Sequence, residues 1–133
     1  MALIARSRYG LVAVNNDAIK DIVFKCVSDM KGRLIPCNQK GRIYKKGLLG
    51  GDPRSLNCIS LEDDGGRLRI RIYYVGLFGE SISNTANELF DRIENDLGLL
   101  MPEKPAEITA CIKGIMSKQL VLRDIEVTRS NEQ

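Results

Sequence analysis

The sequence predicts an α/β (α+β) fold, a two-layer sandwich in which two amphipathic helices cover one face of a mainly antiparallel sheet, in the order β-α-β-β-α-β-β. Three observations lead there. Two segments, near 18–30 and 82–97, carry apolar residues at helical spacing. The central stretch CISLEDDGGRLRIRIYYV alternates apolar and polar residues on either side of an Asp/Gly turn. Shorter strand-like runs, LVAV near the start and EITACIKGI and LVLRDIEV near the end, supply the remaining strands.

In chain order, LVAV (11–14) leads directly into the first helix. Ala18, Ile19, Ile22, Val23, Cys26, Val27 and Met30 form its apolar stripe. Asn15, Asn16 or Asp17 caps its start, because a short side-chain oxygen accepts from a free backbone N–H. Gly32 fits the left-handed stop.

The central hairpin is expected to turn at Asp63-Asp64-Gly65-Gly66. That register sets Leu61 opposite Leu68 and Ile59 opposite Ile70. On the other face it sets Glu62 opposite Arg67, Ser60 opposite Arg69 and Cys58 opposite Arg71. One face is then apolar throughout and the other basic and open to solvent, because successive side chains point to opposite sides of a strand.

The second helix carries Ile82, Ala86, Leu89, Phe90, Ile93 and Leu97, with Ser81 or Ser83 as cap and Gly98 as stop. Its outer face, with Glu88, Asp91, Glu94 and Asp96 against Arg92, reads as acidic and solvated. Residues 107–115 read as a strand, with a short helix as the alternative. Residues 120–127 read as a last strand before a polar tail from about 128. The 133 residues, 44% of them hydrophobic, fit one domain spanning 1–133.

Charge is unevenly distributed. The net charge is only +3, yet Lys31, Arg33, Lys40, Arg42, Lys45, Lys46 and Arg54 stand against the single acid Asp52 between residues 31 and 54. Glycines and prolines in the same stretch predict a basic Gly-rich loop at about 33–57. Arg67, Arg69 and Arg71 on the strand, with Lys40, Arg42, Lys45 and Lys46 in the loop, make a candidate anion-binding surface. The competing reading is a solvated strand face with ordinary cross-strand charge pairs. Tyr73 on the arginine face and Tyr44 in the loop are the aromatic residues available for base stacking.

Catalytic and metal chemistry find little footing. The chain has no histidine, and its four cysteines, Cys26, Cys37, Cys58 and Cys111, form no C-x-x-C pair, so no zinc set and no cofactor are expected. Asp63 and Asp64 suit the turn, and the neighbouring Ser117 and Lys118 do not by themselves make a nucleophile and base. Gly76-Leu-Phe-Gly79 has the G-x-x-G spacing of a nucleic-acid backbone clamp, but it leaves a strand and reads as a strand-to-helix turn. Gly47-Leu-Leu-Gly-Gly-Asp lacks the Lys-Ser/Thr ending of a phosphate loop. No segment has the apolar length of a membrane span, and MALIARSRYG does not read as a signal peptide. A cytoplasmic protein with reduced thiols and no enzymatic activity is expected.

Tyr9-Gly10-x-Val12, followed by the first helix to Gly32, resembles the opening of the alkaline shock, or envelope stress response, protein family of Gram-positive bacteria. The similarity continues through Leu68-x-Ile70-x-Ile72, Phe78-Gly79-x-x-Ile82, the helix through Ala86, Leu89 and Ile93 to Gly98-Leu99, and Ile108-x-Ala110-x-Ile112-x-Gly114-Ile115. It covers roughly residues 9–32 and 67–115; the basic stretch 33–54 and the end of the chain lie outside it. The resemblance implies a small cytoplasmic protein linked to cell-envelope stress, which self-associates and sits at the membrane through a membrane-anchored partner protein. It implies no catalytic residues and no cofactor. The expectation is a non-enzymatic scaffold or adaptor acting by protein–protein contact. The alternatives are a nucleic-acid-binding module using Arg67, Arg69, Arg71, Lys45 and Lys46, and anionic-lipid contact through the basic loop.

Overall fold

A computed structural model describes residues 2–7, 10–30, 32–43, 57–64 and 67–131. Its elements are β1 (Ala2–Ser7), β2 (Gly10–Asn15), α1 (Asn16–Ser28), β3 (Leu34–Pro36), β4 (Ile59–Asp64), β5 (Arg67–Leu77), α2 (Ile82–Leu97), β6 (Glu107–Met116) and β7 (Leu120–Ser130). The fold is α+β, with two helices and a five-stranded, mostly antiparallel sheet. β1 and β2 form a separate antiparallel hairpin. Neither β1 nor β3 was expected from the residue pattern.

β5 organises the sheet. β6 pairs with it in parallel along one edge, after the crossover through α2. Its other edge is served by two strands laid end to end, β4 against the first half and β3 against the second. The two meet at Tyr73, whose carbonyl accepts from the Cys37 N–H at 3.1 Å and whose N–H donates to the Cys58 carbonyl at 2.8 Å. β7 completes the order as the antiparallel neighbour of β6. Residues 107–116 are thus a strand, and β7 continues three residues into the expected polar tail.

The hairpin register differs from the expected one by two residues. Ile59 lies opposite Ile72, Ser60 opposite Arg71, Leu61 opposite Ile70, Glu62 opposite Arg69 and Asp64 opposite Arg67. Because the shift is even, every side chain keeps its expected face. Keeping the strand paired as far as Asp64 gains a further ladder pair, and a shift of two leaves the hydrophobic pattern satisfied.

The core lies between the helices and one sheet face. Leu68, Ile70, Ile72 and Tyr74 of β5 and Ile108, Ala110 and Ile112 of β6 pack against Ile19, Val23, Cys26 and Val27 of α1 and Ala86, Leu89, Phe90, Ile93 and Leu97 of α2. Each buried Val, Leu, Ile or Phe among them contributes about 1.5–3 kcal/mol relative to exposure, so this interface dominates stability. Ala18 of the expected α1 stripe is exposed instead. Ser81 caps α2, its hydroxyl accepting from the Asn84 N–H at 3.2 Å. Gly32 takes the left-handed conformation after α1 (φ +97). Gly98 does not: it stays right-handed at φ −61 while its N–H closes the last turn.

The stretch expected to be a basic loop is structured at its start. Leu34 and Cys37 are buried, and Cys37 bridges to Ile43. Lys45 and Lys46, like Tyr44, lie outside the described residues.

Candidate functional site

The second sheet face is built in rows across β5, β6 and β7, and the rows change character along the strands. Arg69, Glu107 and Ser130 share one row, and Arg71, Thr109 and Thr128 the next. Tyr73, Cys111 and Glu126 follow, and then Val75, Gly114 and Leu122. The face is polar at the first rows and apolar at the last. Tyr73, Val75, Cys37 and Cys111 form a second buried cluster, with Ile35, Ile43, Met116 and Leu120 packed around it.

The expectation of an open, uniformly basic face is therefore corrected. Its apolar end is covered by the turn at 37–43. Asn38 Oδ1 accepts from the N–H groups of Lys40 and Arg42, each at 2.9 Å. Gly41, at φ +84, approaches so closely that a Cβ there would lie 3.2 Å from Leu122 Cδ2 and 3.4 Å from Lys113 Cβ. Lys40 and Arg42 are exposed on this turn. They sit by Lys113 and Leu122, beyond the Tyr73–Cys111 row from the three arginines. Tyr73 is only 7% exposed, which removes its ring as a stacking platform.

The arginines are engaged with carboxylates. Arg69 Nη1 lies 3.7 Å from Glu107 Oε2. Arg71 Nη2 donates to Glu126 Oε2 at 3.0 Å and to Cys111 Sγ at 3.3 Å. Hydrogen bonding to Tyr73, more than the charge of Glu126, holds the Arg71 guanidinium above its ordinary pKa. Lys113 is paired with Asp124 at 3.1 Å. Arg67, exposed, faces Asp64 at the hairpin end. The face is a lattice of cross-strand pairs, in which cations and acids from neighbouring strands neutralise one another.

Two arginines that the sequence did not single out as structural do more for the fold. Arg33, read as part of the basic loop, pairs with Glu88 of α2, lies 3.8 Å from Glu80 and donates to Thr85 Oγ1 at 3.3 Å. Arg129 reaches Asp91 at 2.7 Å and Glu94 at 3.1 Å, with its guanidinium 5.4 Å from the centre of the Phe90 ring. The acidic side of α2 is thus a rail for arginines from both flanks, not merely a solvated face. Its signal in the sequence is the run Glu88, Asp91, Glu94 at one-turn intervals with few cations on the same helix.

The thiols are held protonated. Burial pushes Cys37 up to about 12, and burial followed by a hydrogen bond to Asp96 pushes Cys26 up to about 12. Cys58 rises to about 11 through burial, and burial also raises Cys111. Since the thiolate is the nucleophile and the metal ligand, these environments oppose both roles near neutral pH. Among the described residues no group of three or more Cys, Asp or Glu side chains is arranged to hold a metal ion. A cavity of about 390 Å³ opens between α1 and the start of β4, lined by Asp17, Lys20, Asp21, Phe24, Asn57, Cys58 and Ile59. Its one thiol is the raised Cys58.

Apolar side chains are exposed where the sheet ends. Phe78 is 78% exposed in the turn between β5 and α2, its N–H held by the Met116 carbonyl at 2.9 Å. At the same end of the sheet, where β7 begins, Val121 and Leu122 are 46% and 62% exposed. Val121 and Leu122, as consecutive strand residues, point to opposite faces of the sheet at this end. The sequence pattern placed them inside a strand, and Phe78 in the turn that follows one, without showing their exposure. No family model matches the chain, and neither does any curated protein or solved structure.

Proposed function

We propose that this protein is a non-enzymatic scaffold or adaptor that works by self-association and protein–protein contact. The observation that carries this reading is the exposure of Phe78, Val121 and Leu122 at one end of the sheet, the last two on an edge strand, β7, that no described strand covers. Exposed apolar groups beside unpaired backbone are the physical makings of a protein contact. The resemblance to envelope stress response proteins points the same way and places the contact in cell-envelope homeostasis, through a membrane-anchored partner. No described helix is long and apolar enough to cross a membrane, so in this reading attachment comes from the partner.

The nucleic-acid alternative asks Arg69 and Arg71 to leave Glu107 and Glu126 for phosphates, and Tyr73 is not exposed to stack. Support for it is correspondingly thinner.

The test is comparative capture from cell extract with wild-type protein and a Phe78→Asp, Val121→Asp variant as baits, alongside light-scattering masses over a wide dilution range. A partner or self-association lost in the variant is the expected result. A monomeric mass at every concentration, with no partner recovered, contradicts the proposal.

A further inference from the structure

An unpaired strand edge offers a row of backbone N–H and C=O groups to any arriving strand, and proteins guard such edges with charge. β7 is guarded in this way from Arg123 onward, by Arg123, Asp124, Glu126 and Arg129. Its first three residues, Leu120, Val121 and Leu122, carry no charge.

Building on the association reading above, we infer that the partner at this edge is a second copy of the chain, joined by antiparallel β7–β7 pairing about a two-fold axis at Val121. Pairing about such an axis, perpendicular to the sheet, keeps each face with its own kind and leaves both helical layers on one side of a continuous sheet. Every residue then lies opposite its counterpart across the central one.

The charges select the centre. An axis at Arg123, Asp124 or Glu126 sets a charge against its own copy, and one at Ile125 sets Asp124 against Glu126 twice. Like charges directly opposite one another are destabilising. An axis at Leu122 sets Asp124 against Leu120 and Arg123 against Val121. An axis at Val127 avoids these clashes but leaves the exposed Val121 and Leu122 uncovered. Centring on Val121 pairs it with itself and sets Leu120 against Leu122 in both halves, while Arg123 and Asp124 fall beyond the partner's strand, level with its 117–119 turn. Exposed apolar groups are covered and no like charges meet in the paired strands.

The experiment uses the full chain carrying Val121→Cys or Thr128→Cys, oxidised with copper-phenanthroline and resolved without reductant. The native thiols are buried and serve as the background in the wild-type chain. In a dimer centred on Val121 the two introduced thiols are held together, so the Val121→Cys chain crosslinks about tenfold or more faster than the Thr128→Cys chain. Faster crosslinking at Thr128→Cys moves the axis and overturns the inference. Equal, background-level crosslinking in a chain that still self-associates by mass overturns it too, while leaving the association reading in place. Background crosslinking in a chain that is monomeric at every concentration, and that captures no partner, removes both.

Discussion

Arg129 of β7 donates to Glu94 of α2 at 3.1 Å, and the two side chains are only 25% and 11% exposed. The pair ties the last strand of the sheet to the helix layer across the edge of the core, where Arg129 also lies over the Phe90 ring. Removing the guanidinium takes the charged partner from the more buried carboxylate, whose other oxygen accepts from Asn131 Nδ2 at 2.6 Å.

Arg129→Ala is therefore expected to cost about 1–3 kcal/mol, from a lost charged hydrogen bond and lost packing of the aliphatic stem. Arg129→Lys should recover part of it. Urea denaturation with an unchanged m-value is the readout; a midpoint equal to wild type would show that the contact is not formed in solution.

Arg71 and Glu126 should behave differently, although their 3.0 Å separation is shorter than that of Arg129 and Glu94. They are 41% and 52% exposed. Exposed pairs contribute about 0.2–1 kcal/mol and are screened by salt. Glu126→Gln should therefore shift the urea midpoint slightly at low salt and hardly at all at high salt.

A methyl group at Gly114 would lie 2.8 Å from Leu120 Cδ1 and 2.9 Å from the Val121 carbonyl. The carbonyl is backbone and cannot turn aside, so Gly114→Ala should cost about 1–3 kcal/mol by overpacking. Gly32 has open space around it but a φ of +97. Gly32→Ala should cost about 1–2 kcal/mol through backbone strain alone. A thermal melt distinguishes both from a neutral change.

Stability should fall on the alkaline side. The folded state raises Cys26 and Cys37 from the ordinary 9.0 to about 12, so an unfolded chain loses those protons first. Above pH 9 the unfolded state binds fewer protons than the folded one, and the free energy of unfolding decreases with rising pH. The contribution is complete below about 9 and is lost progressively toward about 12. Chemical denaturation at a series of pH values tests the sign. A rise in stability across that window would contradict the burial of these thiols.

Labelled single-stranded RNA and DNA, followed by fluorescence anisotropy, should show at most weak binding at physiological salt, unaffected by changing Arg67, Arg69 and Arg71 to Glu. Saturable binding at that salt, abolished by those changes, would mean that the arginines exchange carboxylates for phosphates. The steep salt dependence of phosphate contacts makes the two outcomes easy to separate.

The helices and the long strands were legible because their apolar periods are unambiguous: Ile70 and Ile72 alternate with arginines, and Leu89, Phe90 and Ile93 recur at helical spacing. β3 was not legible, since three residues, Leu34 to Pro36, carry no period and are ordered by pairing with β5. The hairpin register escaped for a related reason. Alternation fixes the face of a side chain but not its partner, and a shift of two leaves every face unchanged.

The candidate surface was legible only as composition. Alternation places Arg69 and Arg71 on one face, yet their acids come from residues 107 and 126, a separation that no local pattern reveals. Exposure of Val121 and Leu122 was hidden likewise: at the start of an alternating strand, an apolar residue at a sheet edge reads the same as one inside the core.

The central claim is association through the apolar start of β7, and sedimentation velocity over a wide concentration range tests it most directly. Wild-type protein should sediment faster as concentration rises, while Leu122→Asp remains monomeric with an unchanged far-UV spectrum and melting temperature. Identical, concentration-independent monomer values for both proteins would contradict the claim.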